Sequence, residues 1–249
     1  MLSNYDLYQL IGFIAEKNRF GAISLGKYYV YDSSGQPKFR ISTIFSAENR
    51  NLFDFYLRQY YTDWKSREAL QPFLDEVTNV DASGSYDSIM TRPAKIIDAR
   101  VNGGRFIEPV DNIGDWYDRL DKTIKAPSTD YPIVRLKGDS VEVLPDSISN
   151  IDIIYLKYPV SPVIDGYYDS DDNFYYLYEG QTVDLTSSGV DGTALDGTSD
   201  DSSYNSKTVE MEWYDEQKLE VTARILADLG ISINNSALVQ YSQMIKQED

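Results

Sequence analysis

The chain has no histidine and no cysteine among its 249 residues. Without histidine it has no Ser-His-Asp or Cys-His machinery and no imidazole base, and without either residue the usual His/Cys zinc site is excluded. The catalytic chemistry that remains is that of carboxylate, Lys, Tyr or Ser/Lys groups. The lack of cysteine also excludes disulfides, so we expect stability to come from packing or assembly.

Basic residues are scarce relative to acidic ones. The chain contains 23 Lys and Arg against 40 Asp and Glu, which gives a net charge of −17. This charge disfavours binding modes that neutralise many phosphates or dock on anionic lipid. No apolar run approaches the roughly 20 residues of a membrane span, and residues 1–17 lack the basic start and apolar stretch of a signal peptide. We therefore expect a soluble, unprocessed protein that does not bind nucleic acid or membranes.

The N-terminal third of the chain is patterned as helices. Ser3 or Asn4 can cap a first helix, which Gly21 closes. Ser46 is expected to cap a second helix, and residues 65–74 to form a shorter third. The second helix is apolar over more than half of its circumference, so we expect it to be buried on two sides. Its apolar face and flank comprise Leu52, Phe53, Phe55, Tyr56, Leu57, Gln59, Tyr60 and Tyr61.

Segment 27–43, between the first two helices, allows two interpretations. Its turn signal at 32–35 stands between two β-like runs, which favours a hairpin. The first of these runs is also compatible with a short helix capped by Ser24. The sequence leaves this choice open.

The middle of the chain changes to a period of two. Short runs rich in β-branched residues are separated by Gly, Pro and Asp turn signals, which is typical of strands. The predicted strands are 95–101, 105–110, 133–136, 141–144 and 151–158, with one helix over 114–122 between them. We expect a small, mostly antiparallel sheet.

The C-terminal segment returns to helical spacing. Asp215 caps a predicted helix, Gly230 stands where a left-handed C-cap is expected, and residues 236–246 repeat the pattern. The predicted fold class is therefore α+β, with a helical group formed by the N- and C-terminal segments around a central β insertion. The predicted regions are an N-terminal helical region over residues 1–78, a β-rich insertion over residues 92–213, and C-terminal helices over residues 214–249 that pack on the N-terminal region.

Most of the negative charge lies in one segment. Residues 169–216 contain thirteen acidic residues against Lys207 alone, so they account for −12 of the total charge. Within this segment, 180–207 is rich in Ser, Thr, Gly and Asp, and we expect a mobile or partner-ordered acidic loop. The flanking runs 174–178 and 208–213 are expected to be two strands that this loop connects.

Carboxylate pairs suggest one enzymatic hypothesis. Glu210 and Glu212 would share one face of a strand beside Trp213, a pattern compatible with glycoside hydrolysis and a sugar platform. The simpler interpretation is a solvated strand face next to a core tryptophan, and alternation of this kind is what a half-exposed strand shows. We therefore expect no catalytic residues.

Two acidic clusters and one basic group are candidate binding sites. Asp191-Gly192, Asp196-Gly197 and Asp200-Asp201, and the run 169–173, offer oxygen ligands for Ca²⁺ but lack the spacing of an EF-hand loop. Gly103-Gly104 is too short to cradle a phosphate, and no nucleotide-binding fingerprint occurs. The basic group, which could form a local positive strip beside DNA or an acidic partner, comprises Arg92, Lys95, Arg100 and Arg105. The preferred interpretation is a flexible acidic loop for the two clusters and a solvated face for the basic group, so no metal or cofactor is predicted.

Several runs, taken in order, resemble virion structural proteins of crAss-like phages and related podophages of Bacteroidetes. The first is the opening helix followed by 16–24, Glu-Lys-Asn-Arg-Phe-Gly-Ala-Ile-Ser. The mid-chain runs are Arg119-Leu120, Pro127 to Ile133, Val141 to Pro145 and Ile154 to Pro159, and the last is Val209 to Trp213 leading into 215–230. The resemblance covers most of the chain. The acidic loop and the β-like segment 25–43 depart from it.

The resemblance implies a neck component, a ring below the portal that joins the capsid to the short tail. It implies a dodecamer, with the portal protein and further neck or tail rings as partners, located in the virion and in the host cytoplasm during assembly. An acidic surface agrees with this role, because DNA must slide through the channel without being gripped. The alternative is a glycan-binding module or carboxylate-based glycosidase of the tail.

Overall fold

The protein is described by a computed structural model for residues 2–17, 29–31, 37–82, 90–101, 104–121, 126–138, 140–171, 173–187, 190–195, 197–199 and 201–228, the side chains of 12–44 excepted. Helices and mostly antiparallel sheets are both present, which confirms the α+β class. The chain forms two compact units. The first unit contains Met1–Ala69 and Pro159–Asp249, and the second contains Leu70–Tyr158. Residues 92–213, taken together in the sequence analysis, are thus divided between the two units.

The first unit begins with helix α1 (Asn4–Lys17). Ser3 is its cap, in a reciprocal arrangement with Asp6. The Ser3 hydroxyl accepts the Asp6 N–H at 3.1 Å, and the Asp6 carboxylate accepts the Ser3 N–H at 2.7 Å. The helix buries Leu7, Leu10 and Ile11, which recur at helical spacing. Gly21, the expected end of this helix, lies outside the described residues.

The ambiguous segment after α1 contains a hairpin. Strands β1 (Tyr29–Tyr31) and β2 (Pro37–Phe39) pair antiparallel, with Val30 opposite Lys38. Helix α2 (Arg40–Gln59) follows directly. The prediction that Ser46 caps this helix was wrong, because α2 begins at Arg40 and Ser46 lies inside it. Phe45, one residue before Ser46, is only 1% exposed.

Helix α2 buries Phe45, Leu52 and Phe53, whereas its Phe55 is 41% exposed. Directly after the helix, Tyr60 is buried and Tyr61 is 63% exposed. The buried face is therefore rotated away from part of the predicted one. The predicted helix 65–74 is observed as helix α3 (Trp64–Ala69) and a short 3₁₀ turn (Gln71–Phe73). Asp63 caps α3 by accepting the Ser66 hydroxyl at 2.9 Å and the Ser66 N–H at 3.1 Å. These hydrogen bonds, the hydroxyl first, lower the pKa of Asp63.

Helix α5 (Asp215–Asp228) packs against α1 and α2. It starts at the predicted residue, and the Asp215 carboxylate accepts the Leu2 N–H at 2.8 Å. The Tyr56 hydroxyl of α2 donates to Glu220 at 2.6 Å. The expected grouping of N- and C-terminal helices is thus observed. Gly230 and the predicted helix 236–246 lie outside the described residues.

The expected mobile loop is, in its described residues, a small structured region. Strands β10 (Gly166–Tyr168), β11 (Phe174–Tyr176) and β13 (Thr193–Ala194) pair in the order β11-β10-β13, and β12 (Thr182–Val183) pairs with β14 (Tyr204–Asn205). A core of Leu177, Leu185, Ala194 and Tyr204 supports them. The predicted strand 208–213 was wrong, because within it only Val209 forms a bridge, to Val163. The two glutamates of segment 208–213 instead accept hydrogen bonds from neighbouring segments of the first unit.

The second unit is built from two sheets. The first has the order β3-β9-β4-β5 and is antiparallel, and the second has the order β6-β7-β8, in which β6 runs parallel to β7. The strands are β3 (Leu74–Asp81), β4 (Pro93–Val101), β5 (Arg105–Phe106), β6 (Glu108–Pro109), β7 (Ile133–Lys137), β8 (Ser140–Leu144) and β9 (Asn150–Lys157). Strand β3 was missed, because its buried residues are few and a bulge interrupts its pairing after Val77.

The core of the second unit is aliphatic. It includes Val80, Ile96, Val134, Val141, Ile151 and Ile153, together with the buried ring of Tyr155. Helix α4 (Ile113–Asp121), predicted at 114–122, is fixed to this unit by Trp116, which is 1% exposed and packs with Val110 and Ile133. The Arg135 guanidinium lies 4.3 Å from the centre of the Trp116 ring, within the range of a cation–π contact.

Candidate functional site

The two glutamates of the hydrolase hypothesis are engaged by the chain itself. The Glu210 carboxylate accepts the Tyr176 hydroxyl at 2.5 Å and the Asn4 N–H at 2.7 Å. Glu212 accepts the Val160 N–H at 3.1 Å. Burial, followed by the hydrogen bond to Glu210, raises the pKa of Tyr176. Both carboxylates therefore hold segments of the first unit together.

Trp213 does not form an exposed platform for a sugar ring. It is 1% exposed, and its indole N–H donates to the Asn49 side chain of α2 at 2.5 Å. Its ring also lies 6.0 Å from that of Tyr56. The expectation of a core tryptophan is confirmed, whereas the expectation of a solvated strand face beside it was wrong.

A buried lysine anchors the segment before α1. Lys218 of α5 is fully buried, and its ammonium donates to the Leu2 carbonyl at 2.7 Å. Burial lowers the pKa of Lys218, while the carboxylates of Glu210, Asp215 and Asp6 act in the opposite direction. Sequence analysis did not single out Lys218, because nothing in its local pattern distinguishes a buried lysine from a solvated one on an amphipathic helix.

Asp165 organises the acidic region from within. It is 3% exposed, and its carboxylate accepts the Lys207 N–H at 2.7 Å, the Tyr204 hydroxyl at 2.9 Å and the Gly166 N–H at 2.9 Å. Its own N–H donates to the Thr208 hydroxyl at 3.1 Å. This carboxylate ties both ends of the region 166–207 together.

Asp169, Asp171 and Asn173 of the run 169–173 lie between β10 and β11, whereas Asp172 lies outside the described residues. One Asp169 oxygen accepts the N–H groups of Asp171 and Asn173, both at 2.9 Å. These hydrogen bonds, those from Asn173 first, lower the pKa of Asp169. Among the described residues there is no group of three or more acidic side chains arranged to hold a metal ion. In the other predicted cluster, 191–201, Asp196 and Asp200 lie outside the described residues.

The basic group is largely paired with nearby acids. Lys95 lies 2.6 Å from the Asp111 carboxylate, and Arg100 lies 3.0 Å from that of Asp98. Arg105 pairs with Asp130 at 3.6 Å and donates to the Thr129 carbonyl. These pairs reduce the positive field that the sequence grouping suggested, and the solvated-surface interpretation fits them better than a strip for DNA.

Helix α4 carries the apolar surface that stands out in the second unit. Ile113, Tyr117 and Leu120 are 64%, 55% and 43% exposed. A cleft of about 430 Å³ lies beside this helix, lined by Asp111, Asp115, Asp118, Glu108 and Arg119 among others. Sequence analysis placed the helix correctly but missed the surface. The spacing of its apolar residues, at i, i+4 and i+7, was the signal that could have found it.

Neither protein-family models nor curated proteins match the chain. The function of this chain therefore has to be inferred from its sequence and its geometry. In the described residues, no helix combines the length and the apolar character needed to cross a membrane.

Proposed function

We propose that this chain is a non-catalytic structural subunit of a phage neck ring, a connector between the portal and the tail that surrounds the DNA channel. The resemblance of its ordered sequence runs to neck proteins motivates this proposal. The observation that carries it is the number of large apolar side chains exposed on each unit. They are Phe55, Tyr61, Trp64, Tyr175, Tyr178 and Tyr214 in the first unit and Leu74, Phe106, Ile113, Tyr117, Leu120 and Tyr131 in the second.

Such side chains suit repeated contacts between subunits. Aromatic residues are enriched in protein interfaces, where the ring is buried and a hydroxyl stays at the polar rim. The proposed assembly is a ring, with twelve copies expected from the resemblance, and its proposed partners are the portal and further neck or tail rings. The net charge of −17 supports passage of DNA without adhesion.

The carboxylates considered for hydrolysis favour this role over the glycosidase alternative. Glu210 and Glu212 bind backbone and hydroxyl groups of their own unit, and Trp213 is buried. A retaining or inverting glycosidase instead needs two carboxyl groups facing one open substrate site.

Quantitative mass spectrometry of purified virions tests the proposal. The measured quantity is the copy number of this chain relative to the portal protein of the same particles. We expect a ratio near one, as for a ring matched to the portal. Near-absence from particles, or a ratio far above one as for a capsid or fibre protein, would contradict the neck-ring proposal.

A further inference from the structure

In the part of the chain that the structure describes, helix α4 exposes an apolar stripe. Ile113, Tyr117 and Leu120 follow at helical spacing on one side of the helix. Trp116, on a neighbouring side, packs α4 against its own unit. Because Trp116 already anchors the helix, the stripe is available for another surface.

The surroundings of the stripe are negatively charged. Asp115, Asp118 and Asp121 are exposed along the same helix. Arg119 is paired with the Glu108 carboxylate, so its charge is offset locally. A partner for this surface must therefore combine apolar side chains with positive charge.

One stretch of this chain has that chemistry. Residues 17–40 contain five basic residues and a single acidic one, Asp32, which gives a net charge of +4 in a chain of −17. The same stretch is rich in apolar and aromatic residues, and it belongs to the first unit, whereas α4 belongs to the second.

We infer that the α4 stripe of one copy binds the basic stretch 17–40 of a second copy. The two surfaces differ, so the contact is heterologous, and its repetition closes a ring or extends a filament. The inference deepens the proposed function, since a neck ring needs a head-to-tail contact, but it concerns the protein alone and is tested without particles.

Sedimentation velocity over a dilution series of the full chain measures the contact. We expect the wild type to self-associate, and Asp121→Lys to weaken association by about tenfold or more, equivalent to at least about 1.4 kcal/mol. Asp121 ends α4, where a positive charge favours the helix, so this variant should keep its fold. The matched control is Glu68→Lys, an exposed position near the end of α3.

A second pair of variants tests the apolar component of the contact. We expect Ile113→Ser combined with Tyr117→Ser to weaken association to a similar degree. Lys137→Ser, which shortens a side chain that is 60% exposed elsewhere in the same unit, should leave it unchanged. Adding Lys38→Glu to Asp121→Lys should restore some of the lost association, because the two charges are exchanged across the contact.

Carbodiimide cross-linking identifies which copies meet. In a mixture of isotopically light and heavy chains, we expect lysines of 17–38 to couple to acids of 111–121 in mixed light–heavy peptide pairs. A wild type that stays monomeric at its highest soluble concentration, equal effects of the α4 and control variants, or cross-links confined to one copy would each overturn the inference. If particles lack the chain but this contact persists, the phage role fails and the self-association stands.

Discussion

Replacing Asp165 by alanine should disrupt the acidic region selectively. The carboxylate is 3% exposed and accepts hydrogen bonds from Lys207, Tyr204 and Gly166. Asp165→Ala deprives the buried Tyr204 hydroxyl and the Lys207 N–H of this acceptor. At about 1–3 kcal/mol for each donor that loses its acceptor, the two donors together give an expected loss of unfolding free energy of about 2–6 kcal/mol.

Two further variants make the expectation specific. Asp165→Asn keeps one acceptor oxygen and the side-chain shape, so we expect a smaller loss of about 1–3 kcal/mol. Asp184→Ala is the control, because Asp184 is exposed and its carboxylate accepts the N–H and hydroxyl of the neighbouring Thr186. Its removal should change the unfolding free energy by no more than about 0.5 kcal/mol.

Hydrogen exchange with mass spectrometry and urea denaturation measure these effects. We expect Asp165→Ala to speed amide exchange in β13 and β14 while exchange in the second unit stays as in the wild type. If Asp165→Ala and Asp184→Ala give equal unfolding free energies and equal exchange in these strands, the reasoning is refuted and the region is ordered by its apolar core alone.

Three other changes have expected outcomes. Gly166→Ala should destabilise the first unit by about 1–3 kcal/mol in urea denaturation, because an added Cβ would lie 2.4 Å from a backbone oxygen of β11. Burial raises the pKa of Tyr56 and Tyr176, so in the folded protein both hydroxyls keep their protons at a pH where the unfolded chain loses them. The free energy of unfolding should therefore fall as the pH rises above about 10. Phenylalanine at both positions should make this fall shallower when melting is measured as a function of pH. Trp213→Phe removes the bond to Asn49 and should cost about 1–3 kcal/mol, with no change in binding to a glycan array.

Sequence patterning located the elements with strong local signals. The Ser3 cap, the start of α5 at Asp215, and strands β4, β7, β8 and β9 were placed within about two residues of their observed bounds. In each of these elements the local signal, a capping residue or an alternation of β-branched and polar residues, favours the same structure as the tertiary packing does. The hairpin in segment 27–43 was one of two alternatives, since its aromatic run fits either a strand or a helix.

The errors arose where long-range contacts determine the structure. Helix α2 begins before the apparent cap at Ser46 and buries Phe45, and the weakly patterned β3 gains its order by pairing with β9. The acidic region looked too polar to fold, yet Asp165 supplies an internal acceptor for groups about 40 residues away in sequence. A buried carboxylate of this kind has no local sequence signature.

The first unit is made from the two ends of the described chain, and this has a consequence for its biosynthesis. Leu2 donates to Asp215, which is 213 positions later. At about 5–20 residues per second, a ribosome needs roughly 10–40 seconds to supply that partner. The second unit is continuous in sequence and can fold during this delay. During this delay the apolar face of α1 stays exposed, because α5 has not yet been synthesised. Chaperone binding to nascent chains should therefore be highest before residue 215 leaves the ribosome.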